Sequence, residues 1–133
     1  IKSDNTPVSN GDLEVNKFIT KKISELTPHI PIISEENSDN KDNLELKDFW
    51  LIDPIDGTRS FIIGNPTWSN LVALNYKGKP VIGLANFPKL NKHYLNFSDK
   101  QFHLLMTYRF LNRLIGFLKL YLQMNIFSLQ LNN

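Results

Sequence analysis

Residues 49–58, FWLIDPIDGT, join an apolar run to an acidic one. Phe49-Trp50-Leu51-Ile52 is consistent with a short buried β-strand. The strand is expected to stop abruptly at Asp53, where Asp53-Pro54-Ile55-Asp56-Gly57-Thr58 reads as a tight turn. Pro54 fixes the backbone there, and Gly57 allows a ligand to approach closely. Two carboxylates three residues apart in such a turn can converge on one point. Hard divalent cations such as Mg²⁺ take oxygen ligands and keep water and substrate phosphate in their shell, so the pattern suits them. If a short helix starts at Thr58, the backbone N–H groups of Gly57 and Thr58 would point at an anion. Asp-Pro and Asp-Gly are also ordinary turn pairs, so the stretch taken alone leaves a purely structural role open.

Upstream, Ile30-Pro31-Ile32-Ile33 is a second buried-strand candidate, which delivers Ser34-Glu35-Glu36 at its end. Before it, Leu13, Val15, Phe18, Ile19, Ile23 and Leu26 recur at spacings that predict a helix over 13–26, with Asp12 as its N-cap and a stop near Pro28. Residues 1–12 read as a loop, and residues 37–48 as a polar surface excursion. Downstream, 70–76 and 81–87 flank Lys77-Gly78-Lys79-Pro80 and predict a β-hairpin with Gly78 in the turn; 93–97 adds a third strand. Taken singly, Glu35-Glu36 fits a solvated loop and Asp12 a helix cap. Together with Asp53 and Asp56 they place acidic groups at the edges of three apolar elements. That arrangement fits a layered fold with a metal pocket at the element ends.

The chain has 133 residues, enough for one domain with a core. With no cysteine, a disulfide scaffold, a Cys-ligated zinc site, an iron–sulfur cluster and thiol catalysis are all excluded, while oxygen-ligand chemistry stays open. The net charge of +2 is unevenly spread. Residues 1–99 carry 11 bases and 13 acids, net −2; residues 100–133 carry Lys100, Arg109, Arg113 and Lys119 with no acid, net +4. A composition boundary is therefore expected at Asp99/Lys100. The start has no signal-peptide pattern, and a cytoplasmic location is expected.

Three segments in order, TPVSNGD (Thr6 to Asp12), IISEE (Ile32 to Glu36) and WLIDPIDGT (Trp50 to Thr58), resemble the inositol monophosphatase superfamily of Mg²⁺-dependent, lithium-sensitive phosphomonoesterases. RSFIIGNPTWSNLVAL (Arg59 to Leu74) and GKPVIGLANFPKLNKHY (Gly78 to Tyr94) are similar to members acting on histidinol phosphate, 3′(2′),5′-bisphosphate nucleotides or inositol phosphates. The resemblance covers about residues 2–97. It implies an α/β fold: the N-terminal αβ half of a layered αβαβα sugar-phosphatase fold, with a largely antiparallel sheet. It also implies roles. Glu35, Asp53 and the carbonyl of Ile55 would bind a first Mg²⁺, and Asp53 with Asp56 a second. Thr58 would work with Glu35 to position the water that attacks phosphorus in line, and the N–H groups of Gly57 and Thr58 would hold the phosphate. Asp12 would contribute to a further, weaker metal site through water, and Glu36 would orient its neighbour or the water network. The implied partner is a small phosphorylated metabolite, with no nucleic-acid polymer and no membrane; members are often dimeric. Lys2 and Arg59 are read as surface cations, with Arg59 also placed to meet a charged substrate. Trp68 is read as a buried anchor.

Family members are longer and continue into a second αβ half, which supplies another metal-ligating Asp in a W-D-x-A type motif. Nothing in residues 98–133 matches it: the only tryptophans are Trp50 and Trp68, and no Asp follows Asp99. Residues 1–97 are thus expected to form the metal-binding half. The apolar, basic residues 98–133 are expected to be a frameshift or truncation product, with a packed replacement helix or membrane-surface contact as alternatives. A catalytically inactive remnant, or a half-domain that needs a partner chain, is the alternative to an active phosphatase.

Overall fold

The computed structural model describes residues 8–37, 46–97 and 100–104, and the expectations for residues 105–133 and for Lys2 lie outside them. Helix α1 spans Asn10–Leu26 and is followed by the short strand β1, Ile32–Ser34. Strand β2 covers Phe49–Asp56, a short helix α2 covers Thr58–Ile62, and strands β3 (Ser69–Tyr76) and β4 (Lys79–Phe87) form a hairpin. A 3₁₀ turn at Pro88–Leu90 leads into β5 (Lys92–Phe97) and β6 (Lys100–Leu104). The strands form one six-stranded sheet in sequence order, with β1 parallel to β2 and every later pair antiparallel. This is the expected α/β half-fold with a largely antiparallel sheet. β6 extends the sheet past the composition boundary at Asp99.

Register assigns the faces. Trp50 lies opposite Leu74 and Ile52 opposite Val72; Leu74 then faces Ile82, Val72 faces Leu84, and Leu84 faces Leu95. Directly opposed residues share a face. One face of the sheet therefore carries Trp50, Ile52, Leu74, Ile82, Leu84 and Leu95, which bury against Ile23 of α1 and Ile30. Each such side chain contributes about 1.5–3 kcal/mol when removed from water. The other face places Leu51 opposite Ala73, and Leu51 stays 48% exposed.

Helix α1 is tied to the sheet by polar contacts at two levels and is capped at its start. At its C-terminal end Thr27 Oγ1 donates to the carbonyl of Ile23 (3.1 Å) and accepts from the indole Nε1 of Trp50 (2.9 Å). In its middle, Asn16 Oδ1 accepts from the buried hydroxyl of Ser34 (2.7 Å). At its start the helix begins earlier than expected, and its N-cap is Ser9 rather than Asp12. Asp12 is the N3 partner in a capping box: Ser9 Oγ accepts from the Asp12 amide, and the Asp12 carboxylate accepts from the Ser9 amide at 2.8 Å. The apolar spacing holds in part: Ile19 and Ile23 pack on the core, but Leu13 and Phe18 face water and the polar Asp12 and Asn16 are buried instead.

Two further expectations about strand ends are corrected. The hairpin turn is only Lys77-Gly78, both at positive φ (51° and 74°), which is the two-residue connection whose twist matches the strands. Lys79 and Pro80 therefore belong to β4, beside a register shift between Leu74 and Asn75. The apolar run of β2 does not stop at Asp53 either. The strand continues through Asp56 by accommodating a bulge.

Candidate active site

Asp53 pairs with Leu71 and Asp56 with Ser69, so β2 uses three steps where β3 uses two. One extra residue enters β2 between the carboxylates, which is a β-bulge. In a regular strand residues three apart point to opposite faces. The inserted residue cancels that half-turn. Leu71 and Ser69 are two apart and share a face, so the residues opposite them, Asp53 and Asp56, share that face too. Asp56 is exposed and its Oδ2 accepts from the buried Ser69 hydroxyl at 3.2 Å. Pro54 and Ile55 between them are buried. Glu35 follows β1, and its amide donates to the carbonyl of Ile52 at 2.9 Å, which carries the parallel ladder one residue further. That register position is beside Asp53. Glu36 is half-buried, and its amide donates to Ser34 Oγ at 3.3 Å.

The chain then reverses at Gly57, whose φ of 87° and ψ of 42° are left-handed. A Cβ there would lie 3.3 Å from the Thr67 carbonyl oxygen and 3.6 Å from Trp68, so position 57 needs glycine on two counts. Helix α2 follows at once, as expected from Thr58 onward. Its Phe61 ring meets the buried Trp68 edge-on, centroids 5.0 Å apart, and covers Gly11 at the start of α1. Trp68 is thus the buried anchor that the sequence indicated, and Arg59 is exposed. This packing brings the two ends of α1 and α2 together. Thr58 Oγ1 donates to Asp12 Oδ1 at 3.0 Å and lies 3.2 Å from the carbonyl oxygen of Ile55.

The resemblance set Thr58 to work with Glu35 through a shared water; the direct hydrogen bond of Thr58 to Asp12 was not part of that reading. These residues are 46 apart, and no local signal connects them. Asp12 itself is fully buried, with Oδ2 accepting from the amide and hydroxyl of Ser9. Also missing from the sequence reading were Asn70 and Asn86, which support the bulge from behind.

The bulge offers the kind of donors that Mg²⁺ takes. It presents two carboxylates on one face, with the Ile55 carbonyl and the Thr58 hydroxyl next in sequence, all hard oxygen donors. Mg²⁺ is usually held by one or two carboxylates, with water and substrate phosphate completing the shell. The donors present fit that pattern. Among the described residues no three His, Asp or Glu side chains gather at one metal-sized point. Among the described residues, also, no helix is long and apolar enough to cross a membrane.

A mixed sheet backed by a helix, with an acidic bulge running into a glycine-led helix, is the N-terminal part of the inositol monophosphatase fold. The sequence profile of the Inositol monophosphatase family matches residues 1–105, and the chain belongs to that family. The match runs beyond residue 97 and takes in β6. A 3′(2′),5′-bisphosphate nucleotidase CysQ from Haemophilus influenzae is 41% identical over 101 residues, which is 74% of this chain and 38% of that protein. Among solved structures, the Thermotoga maritima IMPase superposes with a TM-score of 0.67 at 29% identity, covering 74% of this chain and 38% of the other. An IMPase/NADP phosphatase complexed with Mg²⁺ and phosphate shares the fold, with a TM-score of 0.66, 24% identity, and coverage of 72% and 37%. The chain thus spans well under half the length of the relatives it matches.

Proposed function

We propose that the chain carries the metal- and phosphate-handling half of a Mg²⁺-dependent phosphomonoesterase acting on a small phosphorylated metabolite. The observation that carries this reading is the β2 bulge, which sets Asp53 and Asp56 on one face just before Gly57 and Thr58. In this reading Asp53, Asp56, the Ile55 carbonyl and Glu35 would hold Mg²⁺, with Glu36 orienting Glu35 or nearby water. Mg²⁺ bound there would lower the pKa of water and offset phosphate charge. The N–H groups of Gly57 and Thr58 would hold the phosphate oxygens. Because the Thr58 hydroxyl donates to Asp12, what it can offer a water is a lone pair. A water that donates to Thr58 Oγ1 turns its own lone pair elsewhere, and Glu35 would complete its aim at phosphorus. Asp12 holds the Thr58 hydroxyl in that donor orientation; its buried, fully hydrogen-bonded oxygens favour this role over a water-mediated metal site.

The likeness to CysQ points to a 3′(2′),5′-bisphosphate nucleotide as substrate, ahead of an inositol phosphate or histidinol phosphate. A cytoplasmic setting and pairing into dimers belong to the same proposal. A second reading has a specific support: the chain spans 38% of that relative's length, so it could instead be a metal-binding half-domain that turns over only with a partner chain. Phosphate release from these three substrates, with and without Mg²⁺, separates the two. The enzyme reading predicts Mg²⁺-dependent release that falls about 10²-fold or more in Asp53→Asn. Release that survives Asp53→Asn contradicts the site assignment. Metal binding with no release from the 133-residue chain favours the half-domain.

A further inference from the structure

A bulge must be held in place, because the added residue takes backbone groups out of the ladder. In β2, Pro54 and Ile55 together stand opposite the single residue Asn70 of β3. Pro54 brings no N–H, and its side chain is fully buried. A buried carbonyl left without a donor is destabilising. The Pro54 carbonyl has one: Asn70 Nδ2 donates to it at 2.6 Å. An asparagine amide can turn either end toward such a carbonyl, and only its NH₂ end can donate. The orientation is set by Asn86, directly opposite Asn70 on β4, whose Nδ2 donates to Asn70 Oδ1 at 2.7 Å. The relay runs from Asn86 through Asn70 to Pro54. Asn70 alternates with Val72 and Leu74, so it lies on the sheet face that carries the core and α1. The carboxylates of Asp53 and Asp56 lie on the other face. The bulge is thus gripped from the face opposite its carboxylates.

We propose that Asn70, oriented by Asn86, is a positioning residue that locks the β2 bulge and so sets Asp53 and Asp56 on a common face for a divalent cation. The inference rests on reading that face as the metal site. Neither asparagine offers a charge to the ion; both act through the Pro54 carbonyl.

The test uses the 133-residue chain and two readouts: amide hydrogen exchange along Ile55, Asp56 and Gly57, and Mn²⁺ affinity from the signal of free Mn²⁺. Asn70→Asp is nearly isosteric and still accepts from Asn86, but an ionised carboxylate cannot donate to Pro54. Exchange at Asp56 and Gly57 should rise about fivefold to tenfold, the effect of one typical hydrogen bond, while α1 and the β3–β4 core stay unchanged. Mn²⁺ should bind several-fold more weakly. Asn86→Ala should shift both readouts the same way by less, and should add nothing in an Asn70→Ala background, as expected for two residues acting in series. If Asn70→Asp fails to fold, Asn86→Ala carries the same readouts with Asn70 in place. Unchanged exchange at 55–57, or additive effects of the two asparagines, overturns the relay. Raised exchange with unchanged Mn²⁺ affinity overturns its link to the metal face. If wild type and Asp53→Asn bind Mn²⁺ alike, the metal reading fails, and the exchange data separately decide whether the relay holds the bulge.

Discussion

A fully buried carboxylate needs donors, and Asp12 has three: the amide and hydroxyl of Ser9 and the hydroxyl of Thr58. The same residue closes the capping box of α1 and holds the first residue of α2. Thr58→Val keeps the shape of the side chain but removes the donor. It should destabilise the chain by about 1–3 kcal/mol in urea denaturation, with Thr58→Ser restoring most of the loss. Destabilisation below about 0.5 kcal/mol by Thr58→Val would show that the Asp12 contact carries no weight. Residue identity was legible at this scale. Asp53, Asp56, Gly57 and Thr58 stood out from their turn chemistry and run from the end of β2 into α2, where Asp12 reaches Thr58 from α1. Pairing was less legible. The Asp12 to Thr58 bond and the asparagine relay join residues distant in sequence, and they depend on register that no local pattern encodes.

At the scale of elements, β2 was half visible. Its apolar start was plain, but a proline and two acids in succession read as a turn, because a bulge that accommodates them is defined by the partner strand. For α1 the apolar stripe was right at Ile19 and Ile23 but not near the site, where the inner face is polar and Leu13 and Phe18 point to water. The Gly78 turn was placed correctly, and the strands simply run closer to it. The two faces of β2 give a direct check on the assigned register. Ile52, 1% exposed, packs in the core, so Ile52→Ala should cost about 2–5 kcal/mol. Its neighbour Leu51 lies on the open face, and Leu51→Lys should change stability by no more than about 0.5 kcal/mol. Equal costs in thermal or urea unfolding would mean that the faces are misassigned.

At the scale of the molecule, the described residues form one sheet with one helical layer and present the acidic bulge on the sheet's other side. That side holds Asp53, Asp56 and the exposed Leu51. The family's sequence pattern extends through β6, while its relatives are more than twice as long as the matched part. The sequence identified the family from motif order alone, because the WLIDPIDGT segment combines strand, carboxylates and glycine in one stretch.

The bulge is proposed as a divalent-cation face. A Mg²⁺ titration followed by amide chemical shifts tests it most directly. Saturable shifts should appear at Glu35, at residues 53–58 and nowhere along β4, and Asp53→Asn should abolish them. Shifts that are absent, that scatter over the surface acids, or that persist unchanged in Asp53→Asn would contradict it.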